Sequence, residues 1–405
     1  YDLMFFLRGS FMRITTLAAV GICIGILNIQ MAGAQSGGKQ IIGRDPASTM
    51  PFSPAVVAGD FIYLSGSLSR EGNFTEQAHA VFERLGQVLE QAGAGFDRVA
   101  AVTVYLKDTS DFQAMNEVFR EYWPTEPPTR STIQADFVTP DALLEVSMVA
   151  IKPGAERTII KPDDWAENAN PYSYAIKSGD TLFLAHLVGR NYRDNSNVEG
   201  GIQAETEAIF EAARQLLAEA DMSLANVVSS RVFLGDFDMF ADMNATYREQ
   251  WPDFPPARAT VLAHGPGSSP LGITLVAVKG ERERIVRPNP DGTPGRVSPI
   301  LSHAVRVGNR LYLSGMLGVN DETRTDTQAQ TRETMATIGR TLDAAGFGFE
   351  HLVDGIVYLT DMSEWGEMNV AYVEAIGKDF PARAAVGTGL VSSDGRVEIM
   401  FTAVR

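Results

Sequence analysis

Cysteine is almost missing: the 405 residues hold one, Cys23. A framework of disulfides is therefore excluded as the source of stability. Histidine is nearly as scarce. The five copies (His79, His186, His264, His303, His351) are scattered without ligand spacing, so no metal site and no cofactor is expected. Positive charge is in short supply too, with 34 Lys and Arg against 50 Asp and Glu and a formal net charge of −16. An acidic surface repels phosphates and anionic lipid instead of releasing their counterions, which argues against nucleic acid and membrane surfaces as partners. Long apolar runs are confined to one place, residues 14–29.

That run follows Met12-Arg13 and leads to Ala32-Gly33-Ala34. A basic start, a short apolar core and an A-x-A ending mark a secretory signal, with cleavage expected before Gln35 and residues 1–11 as an upstream extension. The competing reading is an uncleaved anchor, against which stand the shortness of the run and its dilution by Asn28 and Gln30. Ile22 before Cys23 is too large for a lipoprotein cleavage site. The expected location is periplasmic or secreted, without stable membrane contact after cleavage. The remaining chain is of ordinary globular composition, 45% apolar and 21% charged.

What is abundant is repetition. Asn116 and Arg130, Asn244 and Arg258, and Asn369 and Arg383 are each 14 positions apart. Ahead of each Asn come an aromatic in an apolar run (Tyr105, Phe233, Tyr358) and then an acid (Asp108, Asp236, Asp361). Four features in register three times make the chain a tandem repeat, to be compared column by column. The expected division is 39–157, 158–283 and 284–405, after residues 1–34.

Within each repeat, apolar runs flank a Gly-Asp or Gly-Asn pair and predict a hairpin. A helix follows, with apolar residues at three- and four-residue steps: Ala78, Val81, Phe82, Leu85, Val88 and Leu89 in the first copy, closed by Ala92-Gly93. The matching helices lie near 203–220 and 328–345. Then come the strand with the aromatic, a second helix holding the Asn (112–122, 240–250, 364–376), and a final strand pair reached through Pro-x-Arg. The order β-β-β-α-β-α-β-β predicts an α+β layer, two helices on one face of a mixed sheet. The other, also apolar, face of each sheet needs a partner, which the other two repeats would supply.

These residues resemble the RidA family of reactive-intermediate deaminases, also called YjgF-like. The likeness rests on PYS-x-A, a strand ending in Ser-Gly, V-T-V-Y-L-x-D, M-N-x-x-[YF], P-x-R-[SA]-x-[VI] and a last strand like V-E-I-E-A-I-A, recurring over nearly all of 40–405. The resemblance implies a chorismate-mutase-like fold and, because family members are usually homotrimers with ligand sites between subunits, a self-contained intramolecular pseudo-trimer. Further association of that unit stays open. With unequal repeats the three clefts are free to diverge.

The resemblance further implies that Arg130, Arg258 and Arg383 bind the carboxylate of a 2-imino acid, as the planar guanidinium fork suits. A structural ion pair is the competing role. Asn116, Asn244 and Asn369 match a family position near the site, or else brace a neighbouring loop. The family's water-activating Glu matches Glu145 and Glu398, whereas repeat 2 has Gly272. The Ser-Gly pair is Ser65-Gly66 and Ser314-Gly315, but Ala185-His186 in repeat 2. Of the PYS aromatics Phe52, Tyr172 and Leu301, only Tyr172 keeps a hydroxyl. Whichever repeats face each other, two clefts should hold both Arg and Glu and one should hold Arg alone.

Three functions are thereby in play: hydrolysis of 2-imino or enamine acids in up to two clefts, binding of small 2-keto or 2-imino carboxylates without turnover, and a scaffold. Hydrolysis is preferred, with the residues of repeat 1 as the first choice of site.

Overall fold

The computed structural model describes residues 38–405. The signal segment at 12–34 and its upstream extension lie outside the described residues.

Repeat 1 runs β1 (Lys39–Ile42), β2 (Ala55–Ala58), β3 (Phe61–Leu68), α1 (Phe74–Gln91), β4 (Val99–Leu106), α2 (Phe112–Tyr122), β5 (Thr129–Gln134) and β6 (Leu144–Ile151). Repeat 2 runs β7 (Thr158–Ile160), β8 (Ala175–Ser178), β9 (Thr181–Leu184), β10 (Leu187–Val188), α3 (Gly201–Glu219), β11 (Val227–Leu234), α4 (Phe240–Glu249), β12 (Ala257–Leu262) and β13 (Leu271–Val278). Repeat 3 runs β14 (Arg282–Ile285), β15 (Ala304–Val307), β16 (Arg310–Leu313), α5 (Thr327–Ala344), β17 (Leu352–Leu359), α6 (Trp365–Ile376), β18 (Ala382–Gly387), β19 (Gly389–Leu390) and β20 (Val397–Val404). The fold is α+β, three chorismate-mutase-like repeats, with the β-β-β-α-β-α-β-β order kept in each apart from the short additions β10 and β19.

Local chemistry accounts for the elements. Gly59, Gly179 and Gly308 stand at φ of +55°, +56° and +58°, the left-handed conformation that the hairpin turns require and that glycine adopts without strain. Helix α1 opens on a capping box in which the Asn73 side chain accepts from the N–H of Glu76 and Glu76 returns the bond. Its stripe of Ala78, Val81, Phe82, Leu85 and Leu89 is buried against the sheet. In repeat 1 the strand order is β1-β2-β3-β6-β4-β5, with β5 parallel to β4 because α2 carries the chain back across the face.

Each helix pair covers a core of its own. The opposite faces of the sheets are buried together: one cluster joins Tyr105, Phe233 and Tyr358 with Ile133, Val261 and Val386, so the three recurrent aromatics meet. Each repeat also touches both others through its backbone. The Gln134 N–H donates to His264 O, Asp136 and Gly387 exchange two bonds, and β12 pairs with β19.

Candidate functional site

Each of the three recurrent arginines is the second residue of a strand, opposite Val102, Ser230 or Gly355 in the parallel neighbour. The Pro-x ahead of it forms a seam with another repeat. Ser173 donates its backbone N–H to Pro128 O at 3.0 Å, Ser302 to Pro256 O at 3.0 Å, and Ser53 to Pro381 O at 3.0 Å. The side-chain hydroxyl of each serine donates to the carbonyl one residue earlier: Pro127, Pro255 and Phe380. One contact is thus used three times, with repeat 2 seated on repeat 1, repeat 3 on repeat 2 and repeat 1 on repeat 3.

The rotation splits the residues of each repeat between two clefts. Arg383 faces Glu145, Ser65 and Gly66; Arg258 faces Glu398, Ser314 and Gly315; Arg130 faces Tyr172, His186 and Gly272. Repeat 1, preferred from its sequence, therefore forms no site by itself. Its Glu145 lies beside an arginine of repeat 3, and its Arg130 faces repeat 2.

The three arginines are each 3% exposed, and among the described residues none lies within ion-pairing distance of a carboxylate. Their internal partners are neutral. Asn116 Oδ1 accepts from Arg130 at 2.8 Å, Asn244 Oδ1 from Arg258 at 2.7 Å, and Asn369 Oδ1 from Arg383 at 2.8 Å. The 14-residue spacing is this hydrogen bond, so the asparagines brace the arginine itself. Aromatic faces complete each pocket: Phe119 at 4.9 Å and Tyr172 at 5.3 Å for Arg130, Tyr247 at 4.6 Å for Arg258, Tyr372 at 4.5 Å for Arg383. Burial pulls Arg130 down to about 9 and lowers Arg258 and Arg383 as well. A buried cation with only neutral partners is an open demand for an anion.

Two carboxyl groups stand beside two of these cations. Burial pushes Glu145 up to about 8, opposed by a bond from the Ala385 N–H and by the charge of Arg383. Glu398 is pushed up to about 8 in the same way, opposed by Arg258 and the Thr260 N–H. Both carboxyls are thereby held well above the ordinary carboxylate range, toward the protonated form. The glycine of Ser-Gly makes the room: a Cβ built at Gly66 would run into Glu145 Oε1, and one at Gly315 into Glu398 Oε1. The serine hydroxyls are used internally. Ser65 Oγ donates to Ser53 O at 2.6 Å and accepts from the Arg383 N–H at 2.7 Å; Ser314 does the same with Ser302 O and the Arg258 N–H.

The cleft of Arg130 is built differently. The His186 N–H donates to Arg130 O at 3.1 Å, as the Gly315 N–H does to Arg258 O at 3.1 Å, so His186 occupies the glycine position. Its ring fills the space a side chain at Gly272 would need. Reading the columns one at a time treats His186 as one of five scattered histidines and Gly272 as a loss; the signal is the two changes together. Burial and Arg231 hold the imidazole down to about 4. Arg190, which the repeat columns do not single out, also lines this cleft, a cavity of about 300 Å³.

The sequence model of the family described as Endoribonuclease L-PSP matches the chain over residues 42–152, 164–265 and 297–405. The chain is similar to the 3-aminoacrylate deaminase RutC of Acinetobacter baylyi, 34% identical over 113 residues, which is 26% of this chain and 90% of that protein. Reactive Intermediate Deaminase A, chloroplastic, of Arabidopsis thaliana is 31% identical over 127 residues, 29% of this chain and 68% of that protein. Among solved structures, a chorismatase covers 76% of this chain and 94% of its own at 14% identity and a TM-score of 0.50, a likeness of fold alone.

Proposed function

This chain belongs to the family described as Endoribonuclease L-PSP, the RidA family, three times over, and from that premise we propose that it is an exported 2-imino or enamine acid deaminase working as an intramolecular pseudo-trimer. Hydrolysis runs in two clefts, Arg383 with Glu145 and Arg258 with Glu398. The observation that carries this is the pairing, twice, of a buried cation without a counter-ion and a carboxyl pushed up to about 8 on the next repeat. The names of the two deaminase relatives point the same way.

The substrate carboxylate lies on the guanidinium, a charge-assisted pairing that also fixes the 2-carbon. Water adds to that carbon, the C=N electron pair moves to nitrogen, and the carboxyl relays a proton from the water to the nitrogen. The resulting carbinolamine breaks its C–N bond. The same carboxyl passes the hydroxyl proton on to the amine nitrogen, which takes the C–N electron pair and departs as ammonia, and a 2-oxo acid remains. A group that must both give and take a proton works best with a pKa near the working pH, which the burial of each Glu supplies.

The ribonuclease in the family's description suits this chain poorly, because a net charge of −16 opposes a polyanion. Export rests on residues 12–34; an intact N-terminus on cytoplasmic protein would contradict it. The test of the chemistry is hydrolysis of 2-iminopropanoate and 2-iminobutanoate, made in place by an amino-acid oxidase with semicarbazide as the competing trap. The Glu145→Gln, Glu398→Gln double variant is expected to lose about 10²–10⁴-fold in rate while still binding 2-oxobutanoate. A double variant as fast as the parent chain would refute the assignment.

A further inference from the structure

The cleft between repeats 1 and 2 lacks the carboxyl of the other two and holds a second guanidinium. Gly272 stands where they have Glu, and among the residues lining the cavity there is no Asp or Glu. The second guanidinium is that of Arg190. Its guanidinium reaches the Tyr172 hydroxyl at 3.4 Å and the Tyr174 hydroxyl at 3.3 Å and lies 4.5 Å over the ring of Tyr192. No carboxylate among the described residues pairs with it, and its Nε is buried without a partner. In the same column repeat 1 has Arg70, which is exposed, and repeat 3 has Val319.

Two guanidinium groups therefore share one aromatic ring, Arg130 over the face of Tyr172 and Arg190 at its hydroxyl. They are held apart by that ring, which suits two separated anionic groups better than one compact anion. A further unfilled demand lies in the same cavity: Thr132 Oγ1 is buried and has no partner. His186 is pinned where the other clefts have their carboxyl, its ring stacked on Phe233 at 5.4 Å and its Nδ1 3.1 Å from Ser131 Oγ.

We propose that this cleft is a binding site for a short dicarboxylate, a 2-oxo or 2-imino diacid, which it holds without hydrolysing: Arg130 takes the carboxylate beside the 2-carbon and Arg190 the distal one. The assignment rests on the reading above that the strand arginines receive carboxylates. The imidazole, kept neutral at neutral pH, leaves the paired cations free to act on the ligand.

The test is calorimetric titration of the full chain with 2-oxoglutarate, 2-oxobutanoate and inorganic phosphate. One site is expected to prefer 2-oxoglutarate over 2-oxobutanoate by roughly 10- to 100-fold, the worth of one more hydrogen-bonded charge. Arg190→Met should remove that preference while 2-oxobutanoate still binds with the parent chain's full number of sites, which shows that this cleft is still folded; Arg190→Lys, which keeps the charge, should retain most of it. Equal affinity for the two acids, phosphate competing as well as 2-oxoglutarate, or a preference that survives Arg190→Met would overturn the proposal. So would turnover of a 2-imino diacid by the Glu145→Gln, Glu398→Gln variant. Failure of every carboxylate to bind any cleft would instead bring down the shared premise about the arginines.

Discussion

Reversing the exchange at positions 186 and 272 should reveal it as a single coupled change. His186→Gly removes a ring stacked on Phe233 at 5.4 Å, together with its contact to Ser131. Truncating a buried Phe to Ala costs about 3–5 kcal/mol; a smaller, partly buried imidazole should cost about 2–3 kcal/mol, with 0.5–1 more for the freedom of glycine. Gly272→Glu alone pushes a carboxyl into that ring, an overpacking cost of roughly 1–3 kcal/mol. In the double variant the new carboxyl enters the vacated space, beside Arg130 and the Thr132 N–H, as Glu145 lies beside Arg383 and the Ala385 N–H. Gly272 is not in the left-handed region, so the backbone accepts a side chain there. The two costs should then fail to add by about 2–3 kcal/mol, measured by urea unfolding of all four proteins. Imine hydrolysis in the double variant should rise as a third cleft gains its carboxyl. Costs that add to within about 0.5 kcal/mol would refute the claim that the imidazole and the missing Glu occupy one space.

Other consequences follow from the same geometry. Glu145 and Glu398 are raised from an ordinary 4.5 to about 8, so their contribution to stability is full below 4.5 and lost as pH rises through 8. The Glu145→Gln, Glu398→Gln variant should thus gain stability over the parent chain at pH 9, on the order of several kcal/mol, and little at pH 5, as read from urea midpoints. Asn244→Ala leaves the guanidinium of Arg258 without its 2.7 Å acceptor and should cost about 1.5–3 kcal/mol by the same measurement. Ser65→Ala removes one bond to Ser53 O and one to the Arg383 N–H, so stability should fall by about 1–2 kcal/mol; a matching Ser at position 185, where repeat 2 has Ala185, should be close to neutral.

The element order was legible because period-2 and period-3.6 patterns recur three times and Gly-Asp or Gly-Asn turns punctuate them. The arginines and glutamates were legible as columns. How the columns combine was not, since a contact handed from one repeat to the next leaves no mark in the order of residues: nothing in the chain ties Glu145 to Arg383 across 238 positions. The asparagines read equally as site residues or braces, and their bonds to the arginines were not legible because a 14-residue spacing spans a helix and a turn whose packing only the fold defines. His186 and Gly272 were each visible as drift, and their meaning lies in sharing one volume. Arg190 carries no mark in the sequence, because its column holds Arg70 and Val319; what sets it apart is its enclosure by Tyr172, Tyr174 and Tyr192.

The most direct measurement compares imine hydrolysis by the parent chain, Glu145→Gln, Glu398→Gln and the double variant at saturating substrate. If two clefts built across repeat boundaries do the chemistry, each single variant keeps about half of kcat and the double variant loses about 10²–10⁴-fold. A single variant that removes all activity, or a double variant that keeps it, would contradict that arrangement.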